Sequence, residues 1–364
     1  MKKIFYSILI FLLILLNFSN VCADDVDNEV DFEDTIEVTA SNVSELPKTN
    51  SRRYIVYDRI SKSMIIGKNE DVKSAMASTT KIMTTIVILE KADLNEKVTV
   101  SAKAGGTGGS RLGLKRGDKA SVRDLLYGLM LRSGNDAAVA LAEHVGGSVK
   151  GFAELMNEKA IELGLTNTHF VTPHGLDDAN HYTTALELAK LTDYAMNNET
   201  FAKIVGTKST TIYINNQSRQ INNTNELLGV LNGVVGVKTG FTNNAGRCLV
   251  TETKRNNIDI ITIVLGADTK KDRTKDSVNL IEYTFSKYKM YNLEEQIIKE
   301  FNKWKNINEK RILIINGKTS NPKLALGAIE KATIPICDND KIEYSINALT
   351  EVEAPVEQWN VMGT

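Results

Sequence analysis

The chain has 364 residues, 42% of them hydrophobic and 24% charged, an ordinary globular composition with ample material for a core. That length points to two domains rather than one. A formal net charge of −1 leaves no bulk electrostatic case for a nucleic-acid partner.

The chain opens MKKIFYSILIFLLILLNFSNVCA, a basic start, an apolar run and a small-residue end. This is the pattern of a secretory signal, residues 1–23, with cleavage expected after Ala23. Val21 is a poor fit to the small residue wanted before a lipidated Cys22, and an uncleaved anchor stays open as an alternative. An exported, extracytoplasmic protein at the cell wall or the outer face of the cytoplasmic membrane is expected. Cys22 leaves with the signal; Cys248 and Cys337 are too few for a disulfide framework and are expected as buried thiols.

Residues 24–52 are acidic and poor in large apolar groups, which predicts a disordered spacer. Folding is expected from Arg53, where YIVYD and SMIIG suggest a hairpin. Residues 77–92, ASTTKIMTTIVILEKA, follow as a helix apolar nearly all round, suited to burial on every side. SVRDLLYGLML, with Ser121 and Asp124 placed close to a capping box, begins a helical block. NDAAVALAEHVGG, GFAELMNEKAIELG and TTALELAKLTDYAMNN continue it, interrupted by the irregular THFVTPHGLDDANHY. Strands return with STTIYI, the stretch around Val234–Thr239, and RCLVTETKR-NN-IDIITIVLG, a hairpin with a two-residue turn. DRTKDSVNLIEYTFSKY reads as an amphipathic helix.

The expected fold is α+β: an antiparallel sheet covered by helices, with a helical lobe, over residues 53–290. Residues 291–364 form a second, small all-β module of short strands such as RILIING and ATIPIC. No solenoid repeat or low-complexity tract is present.

Three short motifs fall in order: Ser78-x-x-Lys81, Ser133-Gly134-Asn135 and Lys238-Thr239-Gly240. At three residues' spacing a helix stacks the Ser78 hydroxyl and the Lys81 amine on one face. Serine needs a base to become a nucleophile, and lysine serves as one when burial or a neighbouring cation lowers its pKa. The same spacing at Ser286/Lys289 and Ser320/Lys323 shows that one match alone means little. Ser133 lies at a junction between two predicted helices, and Lys238 on a predicted edge strand where Gly236 and Gly240 admit a ligand close to the backbone. The trio is that of active-serine β-lactamases and penicillin-binding proteins.

With ASTTKIMT, DLLYGLMLRSGNDAAVALAEH, MNEKAIELGLTNTHFVTPHGLDD, HYTTALELA, VGVKTGFTNNAG and the LGAD leading to Arg273, the chain resembles a family. These are the low-molecular-mass penicillin-binding proteins that act as serine-type D-alanyl-D-alanine carboxypeptidases. The resemblance implies that Ser78 attacks the carbonyl between two terminal D-alanines of a peptidoglycan pentapeptide stem. Lys81, helped by Lys238, takes the proton; Ser133 relays it to the leaving D-alanine; Asn135 bonds the substrate backbone. The N–H groups of Ser78 and Phe241 form the oxyanion hole. Thr239 and Arg273, beside Gly240, hold the terminal carboxylate. It further implies acylation by β-lactams, no cofactor and no metal, and strands and an anchor beyond APVEQWNVMGT, so the last module is expected to be incomplete and stable membrane attachment is not assumed. His169, His174 and His181 lack any metal-binding pattern and are expected to be structural. The alternatives are a β-lactamase, for which Glu154 is the nearest candidate base, and a non-catalytic wall-binding protein.

Overall fold

The computed structural model describes residues 46–289 and a two-residue strand, Cys337–Asp338. The expected signal, most of the expected spacer and nearly all of the expected C-terminal module lie outside the described residues. Ser51, just before the expected start of the fold, already packs against it. Ser51 is fully buried, its N–H and Oγ both donating to Asp276 at 2.8 and 2.5 Å. A polar residue with a buried carboxylate to bond carries no hydrophobic signal, which is why composition assigned it to the spacer.

Strands β1 (Arg53–Asp58) and β2 (Ser63–Lys68) form the expected hairpin. The Asp58 carboxylate accepts from the N–H groups of Ile60 and Ser61, so an aspartate organises a turn that has no glycine. A 3₁₀ turn, Ala77–Thr80, then runs into helix α1 (Lys81–Lys91), buried from Lys81 to Ile88. The lobe follows: β3 (Lys97–Thr99), α2 (Ala102–Gly105), β4 (Lys119–Ser121), α3 (Val122–Leu131), α4 (Asn135–Gly146), α5 (Val149–Glu162), α6 (Ala185–Met196) and α7 (Glu199–Val205). The Ser121 hydroxyl caps α3 by accepting from Asp124 N at 3.0 Å, and Gly147 stops α4 in the left-handed conformation.

Next come β5 (Ser209–Ile214), β6 (Gln217–Asn222), β7 (Val234–Thr242), β8 (Gly246–Arg255), β9 (Ile258–Ala267), α8 (Lys270–Lys287) and β10 (Tyr288–Lys289), which pairs with β11 (Cys337–Asp338). The main sheet is antiparallel throughout, in the order β2-β1-β9-β8-β7, leaving β7 at an edge. Its β8–β9 turn is the expected Asn256-Asn257 pair, both at positive φ. A second sheet, β3-β4-β5-β6, was not expected. Strands of three residues show no period. The Asn215-Asn216 pair between β5 and β6, again at positive φ, was the legible sign of that hairpin.

Both faces of the main sheet are covered. Ile55, Ile261 and Ile263 join the large core with α1 and the lobe. Val56, Ile260 and Val264 pack on the other face with Leu280 of α8. Burial on two sides explains the unbroken apolar run in β9. Each such side chain contributes about 2 kcal/mol of transfer free energy, and β7 lies at the edge of this sheet beside the Ala77–Thr80 turn.

Candidate active site

Ser78 sits in the 3₁₀ turn rather than in the α-helix. In a 3₁₀ turn residues i and i+3 eclipse, so Lys81, the first α-helical residue, lies directly against Ser78. Lys81 Nζ donates to Ser78 Oγ at 2.5 Å, to Asn135 Oδ1 at 2.7 Å and to the His174 carbonyl at 3.0 Å. All three acceptors are uncharged, and Lys81 is 0% exposed. The turn is braced by its own threonines: Thr79 Oγ1 donates to Met76 O and Thr80 Oγ1 to Ala77 O.

The second motif lies at the α3–α4 junction, as expected. Ser133 is buried and takes a positive φ of 58°, and Gly134 precedes the first helical residue, Asn135. The Asn135 amide is engaged at both ends, accepting from Lys81 and donating to Gly108 O at 2.8 Å. Asp136 accepts from the N–H groups of Leu112 and Leu114, so the start of α4 fixes the 108–114 loop around the site.

The third motif is on edge strand β7. Side chains alternate along a strand, so Lys238, Gly240 and Thr242 share one face. That face meets the Ser78 turn: a Cβ on Gly240 would lie 3.1 Å from Ser78 N and 3.2 Å from the Ala77 Cβ. The glycines therefore admit the protein's own neighbours, the Ser78 turn at Gly240 and the Val205 side chain at Gly236, rather than a ligand in the direction of their missing side chains. Lys238 is buried, with Nζ donating to Thr239 O at 2.8 Å. Thr239 faces the other way, its hydroxyl 2.8 Å from that of Thr224. Phe241 carries the Arg247 guanidinium over its ring, 3.8 Å from the centroid.

The irregular segment 166–184 has a role the sequence did not reveal. It straps the Ala77–Thr80 turn and helix α1 to the end of β7. Pro173 O accepts from Thr84 Oγ1 at 2.7 Å, His174 O accepts from Lys81, and Gly175 at φ +87° lies against Ala77 O. Asp177 accepts from Thr242 Oγ1 at 2.6 Å and from Asn244 N at 3.2 Å. His181 Nδ1 accepts from Val171 N, so Nε2 carries the proton and donates to Thr80 Oγ1 at 2.8 Å. Burial pushes the His181 pKa down to about 4, against the opposing pull of Asp178. No group of three or more His, Cys, Asp or Glu side chains among the described residues could hold a metal ion.

Glu154, the candidate base of the β-lactamase alternative, is exposed on α5 beside Lys150, while Asn157 of the same helix bonds the Phe170 backbone. It faces solvent and not the reacting groups. Arg273, in the first turns of α8, is 1% exposed and ion-paired to Glu226. Glu226 is two residues from Thr224, so the 223–228 segment touches both Thr239 and Arg273. The residues brought directly together are thus Ser78, Lys81 and Asn135, with Gly240 against them and with Thr239 and Arg273 linked through that segment.

Residues 39–269 match the Peptidase S11 family, D-alanyl-D-alanine carboxypeptidase. The chain belongs to this family. It is a penicillin-binding, serine-type D-Ala-D-Ala carboxypeptidase of cell-wall synthesis. It is 32% identical over 317 residues to the D-alanyl-D-alanine carboxypeptidase DacF of Bacillus subtilis, covering 85% of this chain and 79% of that protein. It is 34% identical over 351 residues to DacC of Escherichia coli, covering 89% and 82%. Among solved structures, the Streptomyces K15 DD-transpeptidase superposes with a TM-score of 0.63 at 34% identity, over 66% of this chain and 99% of that one. That likeness establishes the α+β transpeptidase-like fold; the expected β module at the C-terminus lies outside the described residues.

Proposed function

We propose that this chain, exported to the outside of the cytoplasmic membrane, trims the terminal D-alanine from peptidoglycan pentapeptide stems through an acyl-enzyme on Ser78. The observation that carries this reading is the buried Lys81 Nζ–Ser78 Oγ hydrogen bond of 2.5 Å in a setting of uncharged acceptors. Full burial disfavours the ammonium form, and Lys238 on the adjoining strand face adds a cation that disfavours a second one. The neutral amine then takes the Ser78 proton as Oγ attacks the carbonyl carbon of the penultimate D-alanine. Gly240 packed against Ser78 N supports an oxyanion hole made by the N–H groups of Ser78 and Phe241.

Collapse of the tetrahedral intermediate breaks the C–N bond. The proton passes through Ser133 to the leaving D-alanine amine, and water then hydrolyses the Ser78 ester. Asn135, bonded to both Lys81 and Gly108 O, orients the amine as well as facing the peptide backbone. Thr239 and Arg273 meet the terminal carboxylate, and the shared 223–228 segment supports that pairing.

The test is turnover of a pentapeptide ending in D-Ala-D-Ala by the purified chain, alongside penicillin labelling. The proposal expects stoichiometric D-alanine release and a lasting covalent label. Rapid destruction of the drug without D-alanine release would make the chain a β-lactamase; neither activity would leave a wall-binding protein.

A further inference from the structure

The second sheet has one buried face and one exposed face. Its register sets Val98 of β3 opposite Ala120 of β4, Ala120 opposite Ile214 of β5, and Thr210 of β5 opposite Ile221 of β6. Val98, Ala120, Ile212, Ile214 and Ile221 all belong to the large core. Side chains alternate along a strand, so the intervening residues point outward. Lys97, Lys119, Thr211, Tyr213, Ser218 and Gln220 stand on that outer face, and all six are exposed. Tyr213 is 53% exposed, a large aromatic ring left facing solvent.

The stretches that build this sheet, residues 97–123 and 200–225, hold ten lysines and arginines and one carboxylate, in a chain of net charge −1. That carboxylate, Asp118, accepts from the Lys115 N–H and from Asn215 Nδ2. Of the carboxylates at the border, Asp124 accepts from the Tyr213 N–H and the Ser121 hydroxyl, and Glu96 bonds His144. A surface of one sign raises the local concentration of anions over it. Tyr213 adds an apolar ring with a polar tip. Thr211, Ser218 and Gln220 add hydroxyl and amide groups that both donate and accept. A ring, neutral hydrogen-bonding groups and flanking ammonium groups on one flat face match the C–H faces and hydroxyls of sugars in a carboxylate-bearing polymer.

The sheet is tied to the cleft at two points. Arg219 of β6 donates to Leu112 O at 2.9 Å, and Leu112 N donates to Asp136, the neighbour of Asn135. Thr224, two residues beyond β6, meets Thr239 of the third motif. We propose that the outer face of β3–β6 is a docking surface for the glycan strand that carries the stem peptides, holding the polymer while one of its stems occupies the cleft. This rests on the peptidoglycan reading above, because a strand whose stems each end in a carboxylate is a polyanionic polysaccharide. Docking makes the encounter of a stem with Ser78 intramolecular. It lowers the apparent KM for stems on the strand and leaves that for a free pentapeptide alone.

The experiment uses the full chain and two substrates: a free pentapeptide ending in D-Ala-D-Ala, and glycan strands bearing the same pentapeptide, purified free of phosphate-containing polymers. Vesicles of anionic phospholipid are a third probe. Lys97→Gln/Lys119→Gln should raise the KM for the strands about fivefold, as two exposed charges can, and flatten its dependence on salt. Tyr213→Ser should raise that KM by a similar factor while keeping the wild-type salt dependence, because the ring carries no charge. Turnover of the free pentapeptide should stay at the wild-type level in both variants, which also shows that both fold. An unchanged KM for the strands in both variants would overturn the docking surface, and so would an equal rise for the free pentapeptide. A rise in the lysine variant alone would mean a face that attracts any polyanion, and would overturn the glycan assignment. Lost binding to the vesicles with strand binding intact would assign the face to a membrane instead. Pelleting with insoluble strands needs no turnover, so it separates the two readings. A wild type that pellets, with both variants failing to, yet releases no D-alanine would refute the activity and leave this inference standing.

Discussion

Two buried cations divide this molecule's chemistry. Lys81 bonds a hydroxyl, an amide oxygen and a backbone carbonyl. Arg59, at the β1–β2 turn, bonds the carboxylates of Asp193, Glu252 and Asp259 and the Asn197 amide. Burial works against the charge of Arg59, but Glu252, Asp259 and Asp193 outweigh it and hold its pKa above an already high value. A guanidinium so surrounded is a fixed charge that ties β1, α6 and β8–β9 together. Lys81 instead donates to a hydroxyl, an amide oxygen and a backbone carbonyl, none of them a carboxylate. The difference separates a cation tied to carboxylates across the fold from the one proposed to act on Ser78.

The comparison can be broken most severely at the nucleophile. Ser78→Ala removes one oxygen from the turn and should abolish both D-alanine release and covalent β-lactam labelling, with the melting temperature little changed. Persistent labelling would remove Ser78 from the mechanism. Lys81→Met should lower turnover and acylation by at least the 10²–10⁴-fold typical of a general base, again in a folded protein. A circular-dichroism melt beside the kinetics checks both halves of that statement.

Arg59→Met sharpens the contrast from the other side. It takes the guanidinium away from three carboxylates, which keep only the half-exposed Lys254 and Lys62 as partners. Stability should fall by about 3–5 kcal/mol, measured by urea unfolding, while kcat per folded molecule stays near the wild-type value. Equal loss of activity and stability would mean that the two cations are not separable.

The smallest effects are pH-dependent and of opposite sign. His181, held near 4, contributes stability in full above its ordinary value of 6.5 and loses it as pH falls toward 4. The stability difference between wild type and His181→Gln should shrink by about 3 kcal/mol over that window. Glu252 runs the other way. Burial and Asp259 push its pKa up to about 7, against Arg59 and Lys254. Its contribution is complete below 4.5 and is lost as pH rises to 7, so the wild-type margin over Glu252→Gln should narrow there. Unfolding curves at pH 4, 5, 6 and 7 test both.

The three motifs were legible because each is made of side chains at short spacing, and the long helices because their periods span several turns. The strap over the nucleophile was not. Its contacts to Thr84 and Lys81 use the carbonyls of Pro173 and His174, groups that every residue owns. The Glu226–Arg273 pair spans 47 positions, a distance over which one sequence carries no pairing signal. Gly240 was recognised as a place of close approach, but what approaches is the Ser78 turn itself, a tertiary fact that depends on β7 lying at the sheet edge. Likewise the three-residue strands β3 and β4 exist because β5 pairs with β4, and their own residues favour nothing in particular.

The account turns on which atom becomes acylated. The protein should be mixed with benzylpenicillin, quenched in acid and digested, and the peptides mapped by mass spectrometry. The penicilloyl mass is expected on the peptide containing Ser78, with fragment ions placing it on that residue, and its accumulation rate should fall at least a hundredfold in Lys81→Met. An adduct on Ser133, or labelling of Ser78 that is as fast without Lys81, would contradict the claim that the buried Lys81 amine activates Ser78.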